Sequence, residues 1–138
     1  QMEASMASAA QRKSVENVSE ATAIITNPTH FAVALKYIVG EPGAPEVVAM
    51  GRGNIAQEII SRGKEKNITV YRSPLLARAL FFTSEIGKEI SEKLYSAVAV
   101  ALAYIYKIDK GELVDEPQID IPEDLRFNEN GKAIKDKD

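Results

Sequence analysis

The chain has 138 residues, of which 45% are apolar, and this fits one soluble domain with a core of ordinary size. It has no cysteine and one histidine, which excludes disulfides and thiol catalysis and argues against a metal site. The net charge is −3, and the charges are unevenly distributed along the chain. Residues 1–108 carry 12 basic and 10 acidic side chains, whereas residues 109–138 carry 5 basic and 10 acidic ones. No run approaches the ~20 apolar residues of a membrane span, and no strongly basic face predicts a nucleic-acid partner.

The first third of the chain predicts a helix followed by a strand, a turn and a second strand. Residues 1–20 are rich in Ala, Met, Ser and Glu, with apolar residues at helical spacing. Two short β-rich runs then follow at residues 22–26 and 31–38, separated by Asn-Pro-Thr-His at residues 27–30. Asn favours the first position of a type I turn and Pro fixes φ at the second, so a tight turn is the favoured interpretation.

A second interpretation of this turn concerns the bond between Asn27 and Pro28. Because Pro28 has no N–H, its nitrogen cannot attack the asparagine side chain, which is the usual decay of asparagine. The reverse attack remains, in which the Asn27 side-chain nitrogen adds to its own main-chain carbonyl, closes a succinimide and expels Pro28 as an amine. The step needs an oxyanion donor and a proton for the leaving nitrogen, and Thr29 and His30 are the candidates.

A third interpretation is a turnover hydrolase with His30 as its general base. It is weakly supported, because no second titratable group or nucleophile stands at a recognisable spacing from this residue.

The middle of the chain predicts a loop, a third strand and a helix. Gly and Pro concentrate at residues 40–45, and a short buried strand follows at residues 46–50. Asn54, with Gln57 three residues later, has the spacing of a capping box and predicts the start of a helix.

A fourth strand at residues 68–71 is followed by two further helices. Ser73 and Pro74 mark the start of the first, and the second is predicted from residue 91 to about residue 107. The second helix has an apolar arc wider than one sheet contact needs. Burial of the whole arc is favoured, and an exposed docking patch is the alternative. The arc consists of one stripe, Leu94, Val98, Ala101, Ile105 and Ile108, and a second stripe, Tyr95, Ala99, Leu102 and Tyr106.

The predicted fold class is α/β, with a small central four-stranded sheet flanked by about four helices. Residues 1–21 are a helical linker and residues 22–108 form the α/β domain. Residues 109–138 are acidic and contain Pro, without a helical or strand period, and predict a tail that is disordered or loosely laid on the surface.

Five motifs in the same order resemble the FlhB/YscU export-switch family, the self-cleaving cytoplasmic domains of type III secretion systems. The acidic tail and the Leu-Ala-Arg-Ala-Leu run resemble the flagellar branch more than the injectisome branch. The chain departs from the family at Met50, where lysine is common, and in having few basic residues before residue 20. The motifs lie within roughly residues 20–108, at residues 24–37, 45–49, 73–80, 94–98 and 102–106.

The resemblance implies self-cleavage by asparagine cyclisation, with Asn27, Pro28, Thr29 and His30 as the reacting residues. The cleavage would occur once per chain, without an external substrate, metal or cofactor, so the protein would not be a turnover enzyme. It would let export change from rod and hook substrates to filament substrates. The implied partners are export-gate membrane proteins, a ruler protein, and export substrates with their chaperones.

The resemblance also implies that the chain is a fragment, the cytoplasmic domain of a bacterial inner-membrane protein whose membrane domain precedes Gln1. A hydrophobic surface near Ala44, Pro45, Ala99 and Leu102 is the implied docking place for export substrates. The alternatives are an injectisome homologue and an uncleaved α/β module that binds other proteins.

Overall fold

The structure is a computed structural model that describes residues 2–28 and 30–134, with backbone alone for residues 2–5. It confirms the predicted α/β class, with four α-helices and a four-stranded sheet among the described residues. Three short 3-10 helices, at Val15–Glu20, Glu92–Leu94 and Glu123–Leu125, complete the helical elements of this part of the chain. The main elements are α1 (Met2–Ser14), β1 (Ala23–Asn27), β2 (Phe31–Lys36), β3 (Glu46–Arg52), α2 (Asn54–Glu65), β4 (Thr69–Arg72), α3 (Pro74–Thr83) and α4 (Tyr95–Asp109).

The sheet is mixed, and its strand order is β3-β2-β1-β4. β1 and β2 form an antiparallel hairpin in which Asn27 faces Phe31, whereas β4 runs parallel to β1 on the other side. A parallel neighbour needs a long crossover, and β2, β3 and α2 together provide it. The turn at residues 27–30 therefore joins the two central strands of the sheet.

Both faces of the central strands are buried, and their side chains alternate between two cores. Ile25 and Val33 belong to the core shared with α3 and α4, whereas Ile24 and Ala34 belong to the core shared with α2 and the 3-10 helix at residues 15–20. All four side chains are fully buried. Burial of one isoleucine contributes ~1.5–3 kcal/mol, so β1 is firmly held between the two layers.

The helix α2 lies close against β1 because residue 63 is a glycine. A Cβ atom on Gly63 would overlap the Cδ1 atom of Ile24. The absence of a side chain at this position lets the helix backbone approach the strand that ends at the turn.

The predicted helix of residues 1–20 is an α-helix up to Ser14 and a 3-10 helix after it. Val15 and Val18 are buried in the core on the α2 side of the sheet. The hydroxyl of Ser14 accepts a hydrogen bond from the backbone N–H of Met50 at 3.3 Å. The second half of this segment is thus attached to the body of the fold.

Two helix starts differ in detail from the sequence prediction. The N-cap of α2 is Gly53 with φ of 59°, and Asn54 is already helical, so the predicted capping box is wrong. The chain passes from β3 to α2 within one residue, and only the positive φ of a glycine makes so sharp a change of direction favourable. α3 begins at Pro74 as predicted, although the Ser73 side chain makes no capping hydrogen bond.

The favoured burial of both stripes on the last helix is also wrong. The first stripe is buried, apart from its last residue, Ile108, which is partly exposed. In the second stripe Tyr95 is 45% exposed and Tyr106 is 56% exposed. Val114 and Pro117, which follow α4, lie beside Val100 and Tyr104 on another side of the helix, and the second stripe faces solvent.

The segment after α4 contributes to the core on the α3 side of the sheet. Ile121 and Leu125 are buried there, and the Lys93 ammonium lies 3.0 Å from the Asp124 carboxylate. This packing differs from the loosely laid tail that the composition predicted, because two apolar side chains within an acidic stretch suffice to attach it. The flexibility predicted for residues 109–138 and the predicted division of the chain into a linker, a domain and a tail stay predictions. No helix in the described ranges is both long and apolar enough to traverse a bilayer.

Candidate self-cleavage turn

The turn between β1 and β2 brings the scissile carbonyl of the predicted reaction to a backbone donor. The N–H of His30 donates to the carbonyl oxygen of Asn27 at 2.9 Å, which closes the turn. Asn27 is half-buried at the end of its strand, and Pro28 and His30 are exposed. Thr29, the fourth predicted site residue, lies outside the described residues. The predicted strand, turn and strand are thus present in the structure.

The hydrogen bond that closes this turn involves the carbonyl group that the predicted reaction attacks. The Asn27 carbonyl belongs to the peptide bond with Pro28, and its oxygen gains negative charge when a nucleophile adds to the carbonyl carbon. A backbone N–H already directed at that oxygen stabilises the charge without reorganisation. The main chain of His30 thus stands where the predicted reaction would need an oxyanion donor.

Backbone hydrogen bonds fix both flanks of the turn. The carbonyl oxygen of Thr26 accepts the N–H of Ser73 at 2.9 Å, and the carbonyl oxygen of His30 accepts the N–H of Gly53 at 3.0 Å. These donors stand at the starts of α3 and α2. The turn is thereby attached to both helical layers, which restricts the positions that its own atoms can take.

The side chain of His30 has a partner that sequence analysis missed. Its Nε2 atom lies 3.0 Å from a carboxylate oxygen of Glu129, and both side chains are about half exposed. The guanidinium of Arg52 donates to the carbonyl oxygen of Glu129 at 3.0 Å. Glu129 stands in a segment without periodic pattern, so no local signal in the sequence could have located it beside His30.

A cluster of phenylalanines supports the same end of the sheet. The guanidinium carbon of Arg52 lies 5.0 Å from the ring centre of Phe31, 5.6 Å from that of Phe81 and 5.9 Å from that of Phe82. Phe31 is the first residue of β2 and packs against both other rings. The strand that leaves the turn is anchored by this cluster.

The four residues predicted for substrate docking line two neighbouring grooves away from the turn. Ala44 and Pro45 line the first, of about 360 Å³, together with Ala99. Ala99 also lines the second, of about 350 Å³, together with Leu102. Tyr37 is common to both grooves and was not predicted. The structure thus brings these residues together beside the exposed stripe of α4.

No group of three or more His, Cys, Asp or Glu side chains in the described part of the chain could hold a metal ion. The geometry at the turn consists of one carboxamide, one backbone donor and one imidazole with a carboxylate partner. This arrangement can support an intramolecular acyl transfer.

The sequence model of the FlhB HrpN YscU SpaS family matches residues 1–105. The chain belongs to this family. It is 48% identical over 104 residues to the flagellar biosynthetic protein FlhB of Aquifex aeolicus, a match that covers 75% of this chain and 30% of the relative. It is 43% identical over 117 residues to FlhB of Salmonella typhimurium, covering 85% of this chain and 30% of the relative. The chain therefore spans about a third of the length of these relatives.

Solved structures of the same family share the fold. The crystal structure of the cytoplasmic domain of FlhB from Shewanella putrefaciens matches with a TM-score of 0.75 at 36% identity, covering 86% of this chain and 96% of that one. A mutated EscU C-terminal domain matches with a TM-score of 0.62 at 31% identity, covering 66% and 91% of the two chains. The predicted family and the preference for its flagellar branch are confirmed by these similarities.

Proposed function

We propose that this chain is the substrate-specificity switch domain of a flagellar type III protein export apparatus and cleaves itself between Asn27 and Pro28. Membership of the FlhB HrpN YscU SpaS family and similarity to proteins named for flagellar biosynthesis support the flagellar context. The observation that carries the cleavage is the N–H of His30 at 2.9 Å from the Asn27 carbonyl oxygen. This N–H is directed at the oxygen atom on which the proposed reaction builds negative charge.

The reaction is an intramolecular acyl transfer. The side-chain nitrogen of Asn27 forms a bond to its own main-chain carbonyl carbon and loses a proton, and the carbonyl oxygen carries the negative charge of the tetrahedral intermediate. The intermediate collapses to a succinimide, the bond to Pro28 breaks, and the proline nitrogen takes up a proton and leaves as an amine. Holding both reacting groups in one turn provides the high effective concentration of an intramolecular reaction.

Three residues of the turn, Asn27, Pro28 and His30, have distinct roles in this proposal. Asn27 provides nucleophile and electrophile, and Pro28 provides a leaving nitrogen without an N–H, which closes the competing decay. The main chain of His30 stabilises the oxyanion, and its imidazole exchanges the protons that the reaction moves. Because the protein is its own substrate, it reacts once and turns over no external molecule.

Cleavage would change the surface at the turn without unfolding the domain. The new ends at Asn27 and Pro28 can separate, while β1 stays between β2 and β4. We propose that this change permits export to pass from rod and hook substrates to filament substrates. The partners would be export-gate membrane proteins, a ruler protein, and substrates with their chaperones, at the cytoplasmic side of the bacterial inner membrane.

Intact mass spectrometry of the freshly purified protein, after denaturation, tests the cleavage. We expect two species, residues 1–27 and 28–138, and a single full-length species for Asn27→Ala. Asn54→Ala, which changes an exposed asparagine that is followed by isoleucine, is the matched control and should cleave like the wild type. A wild-type chain that stays intact for days would remove the self-cleavage from the proposal.

The exposed stripe of α4 favours a second candidate, an α/β module that binds proteins without being cut. The two grooves that share Tyr37 and Ala99 would then be its working surface. Intact wild-type protein that still binds export substrates would support this function over the first.

A further inference from the structure

We propose that Glu129 is a positioning residue for the self-cleavage, which holds the imidazole of His30 in the orientation that the reaction at the turn requires. This inference rests on the proposed self-cleavage at Asn27. It assigns a role in that reaction to a segment that lies far from the turn in sequence.

Glu129 and His30 are placed to form a hydrogen bond. The carboxylate of Glu129 lies 3.0 Å from the Nε2 atom of His30, within hydrogen-bond distance. An ionised carboxylate can only accept, so the contact calls for a proton on Nε2 and fixes the plane of the ring.

The peptide around Glu129 is folded. We call residues 127–133 the tail turn. The side-chain oxygen of Asn128 accepts the N–H groups of Asn130 and Lys132 at 2.9 and 3.1 Å, and the N–H of Asn128 donates to the Lys132 carbonyl at 2.8 Å. Phe127 and Ala133 pair as an antiparallel bridge. The tail turn thus has a defined shape that presents Glu129 at its tip.

The tail turn is attached to α3. The guanidinium of Arg78 donates to the carbonyl oxygen of Phe127 at 2.6 Å, and the rings of Phe127 and Phe82 meet edge to face with centres 5.6 Å apart. Gly131, with φ of 80°, packs on Phe82 so closely that a Cβ atom would lie 2.8 Å from the ring. These contacts place the tail turn beside the end of β1.

The charges around the pair are consistent with this role. Arg52 on β3 donates to the carbonyl oxygen of Glu129, so its guanidinium stands next to the pair. Its main contacts are with the phenylalanine rings and the tail backbone, which leaves the Glu129 carboxylate to the imidazole. One carboxylate, from the tail turn, therefore faces His30, and one guanidinium, from β3, stands beside that turn.

Cleavage kinetics test the inference. The full chain is synthesised in a cell-free system with labelled methionine, and the intact chain and the pieces are measured with time. Met2 and Met6 label the short piece and Met50 labels the long one. We expect Glu129→Gln to slow cleavage by about two- to fivefold, as for the loss of a half-exposed ion pair, and Glu129→Asp to recover part of the rate.

Two further variants distinguish the effect of the position of the Glu129 carboxylate from the effect of the net charge of its segment. Gly131→Ala keeps the Glu129 carboxylate but strains the tail turn against Phe82, and it should also slow cleavage. Glu112→Gln removes one exposed charge from the same segment and should leave the rate unchanged. If Glu112→Gln slows cleavage as much as Glu129→Gln does, the effect is one of net charge and the inference is overturned.

NMR distinguishes the loss of the contact between Glu129 and His30 from a general disturbance of the fold. His30 is the sole histidine of the chain, so nitrogen-15 NMR of the uncleaved Asn27→Ala protein reports on one imidazole. We expect the signature of a hydrogen-bonded Nε2–H, which Glu129→Ala removes while the backbone spectrum is retained. If the wild type cleaves and Glu129→Gln cleaves equally fast, this inference alone fails. If the wild type does not cleave, the proposed function fails and the inference with it.

Discussion

The N–H of Ser73 donates to the carbonyl oxygen of Thr26 at 2.9 Å, so the residue before Asn27 is tied to the start of α3. This bond continues the parallel pairing of β1 with β4, in which Thr26 faces Arg72. It does not depend on an intact bond after Asn27. The strand before the turn therefore keeps its neighbours when the turn is cut.

We expect the two pieces to stay together after cleavage. Residues 1–27 and 28–138 should elute as one species from a gel-filtration column in native buffer and separate only in denaturant. The physical reason is that Ile24 and Ile25 are fully buried on opposite faces of the sheet. Separate elution of the short piece in native buffer would contradict this expectation.

Replacing Ile25 by Ala should weaken the attachment of the cleaved strand. Removing this side chain from a closed core costs about 2–5 kcal/mol, so the short piece should dissociate at a lower urea concentration. Gel filtration in increasing urea measures the fraction that stays attached. Val39→Ala is the control, since Val39 is 74% exposed and its truncation should leave the dissociation midpoint unchanged.

The pKa of Tyr71 provides a test of the packing on the α4 side of the sheet. Burial, together with a hydrogen bond to the nearby Glu116 carboxylate, raises the pKa of this phenol from 10.0 to about 12. Ultraviolet titration should show one of the five tyrosines ionising near pH 12, and Tyr71→Phe should remove that phase. Tyr106→Phe, which changes an exposed ring, should leave it in place.

The same shift predicts how stability depends on pH. Because the pKa of Tyr71 is higher in the folded state, the fold retains the phenol proton that the unfolded chain releases near pH 10. The contribution to the free energy of unfolding is complete below pH 10 and is lost as the pH rises to about 12. Urea unfolding between these values should show a smaller loss of stability in Tyr71→Phe than in the wild type.

Arg52→Lys should destabilise the fold although it keeps the charge. Lysine lacks the planar guanidinium that lies over three phenylalanine rings and reaches the Glu129 carbonyl. At an exposed site the cost is about 0.5–1 kcal/mol, measurable as a lower urea midpoint. Arg62→Lys on α2 serves as the matched control, and an equal effect there would refute a specific role for Arg52.

A substitution in the grooves beside α4 should weaken binding without changing the stability of the fold. Ala99 is exposed and lines both grooves, so Ala99→Glu should reduce affinity for export substrates by about tenfold, ~1.4 kcal/mol, by placing a charge on an apolar surface. The urea midpoint should change little, since the residue is outside the core. Ser96→Glu, at an exposed position on the same helix, should bind normally. Titration with a purified rod or hook subunit measures the affinity of both variants.

Local sequence patterns predicted the elements around the turn. β-branched runs on either side of Asn27 and Pro28 are sufficient to specify two strands and a tight connection, because turn chemistry and strand alternation act over a few neighbouring residues. Pro74 marked the start of α3 for the same reason. The capping box at Asn54 failed because the connection between β3 and α2 was shorter than the sequence suggested, and Gly53 took the cap position.

By itself the sequence determined the family, the four strands and the peptide bond at which cleavage is proposed, since each depends on residues adjacent in the chain. Only the tertiary structure decided that Glu129 meets His30, that the second stripe of α4 stays exposed and that Ile121 is buried. Which side chains from distant segments meet depends on how the sheet, helices and tail pack together. A tail without periodicity carries no local signal of where it will pack.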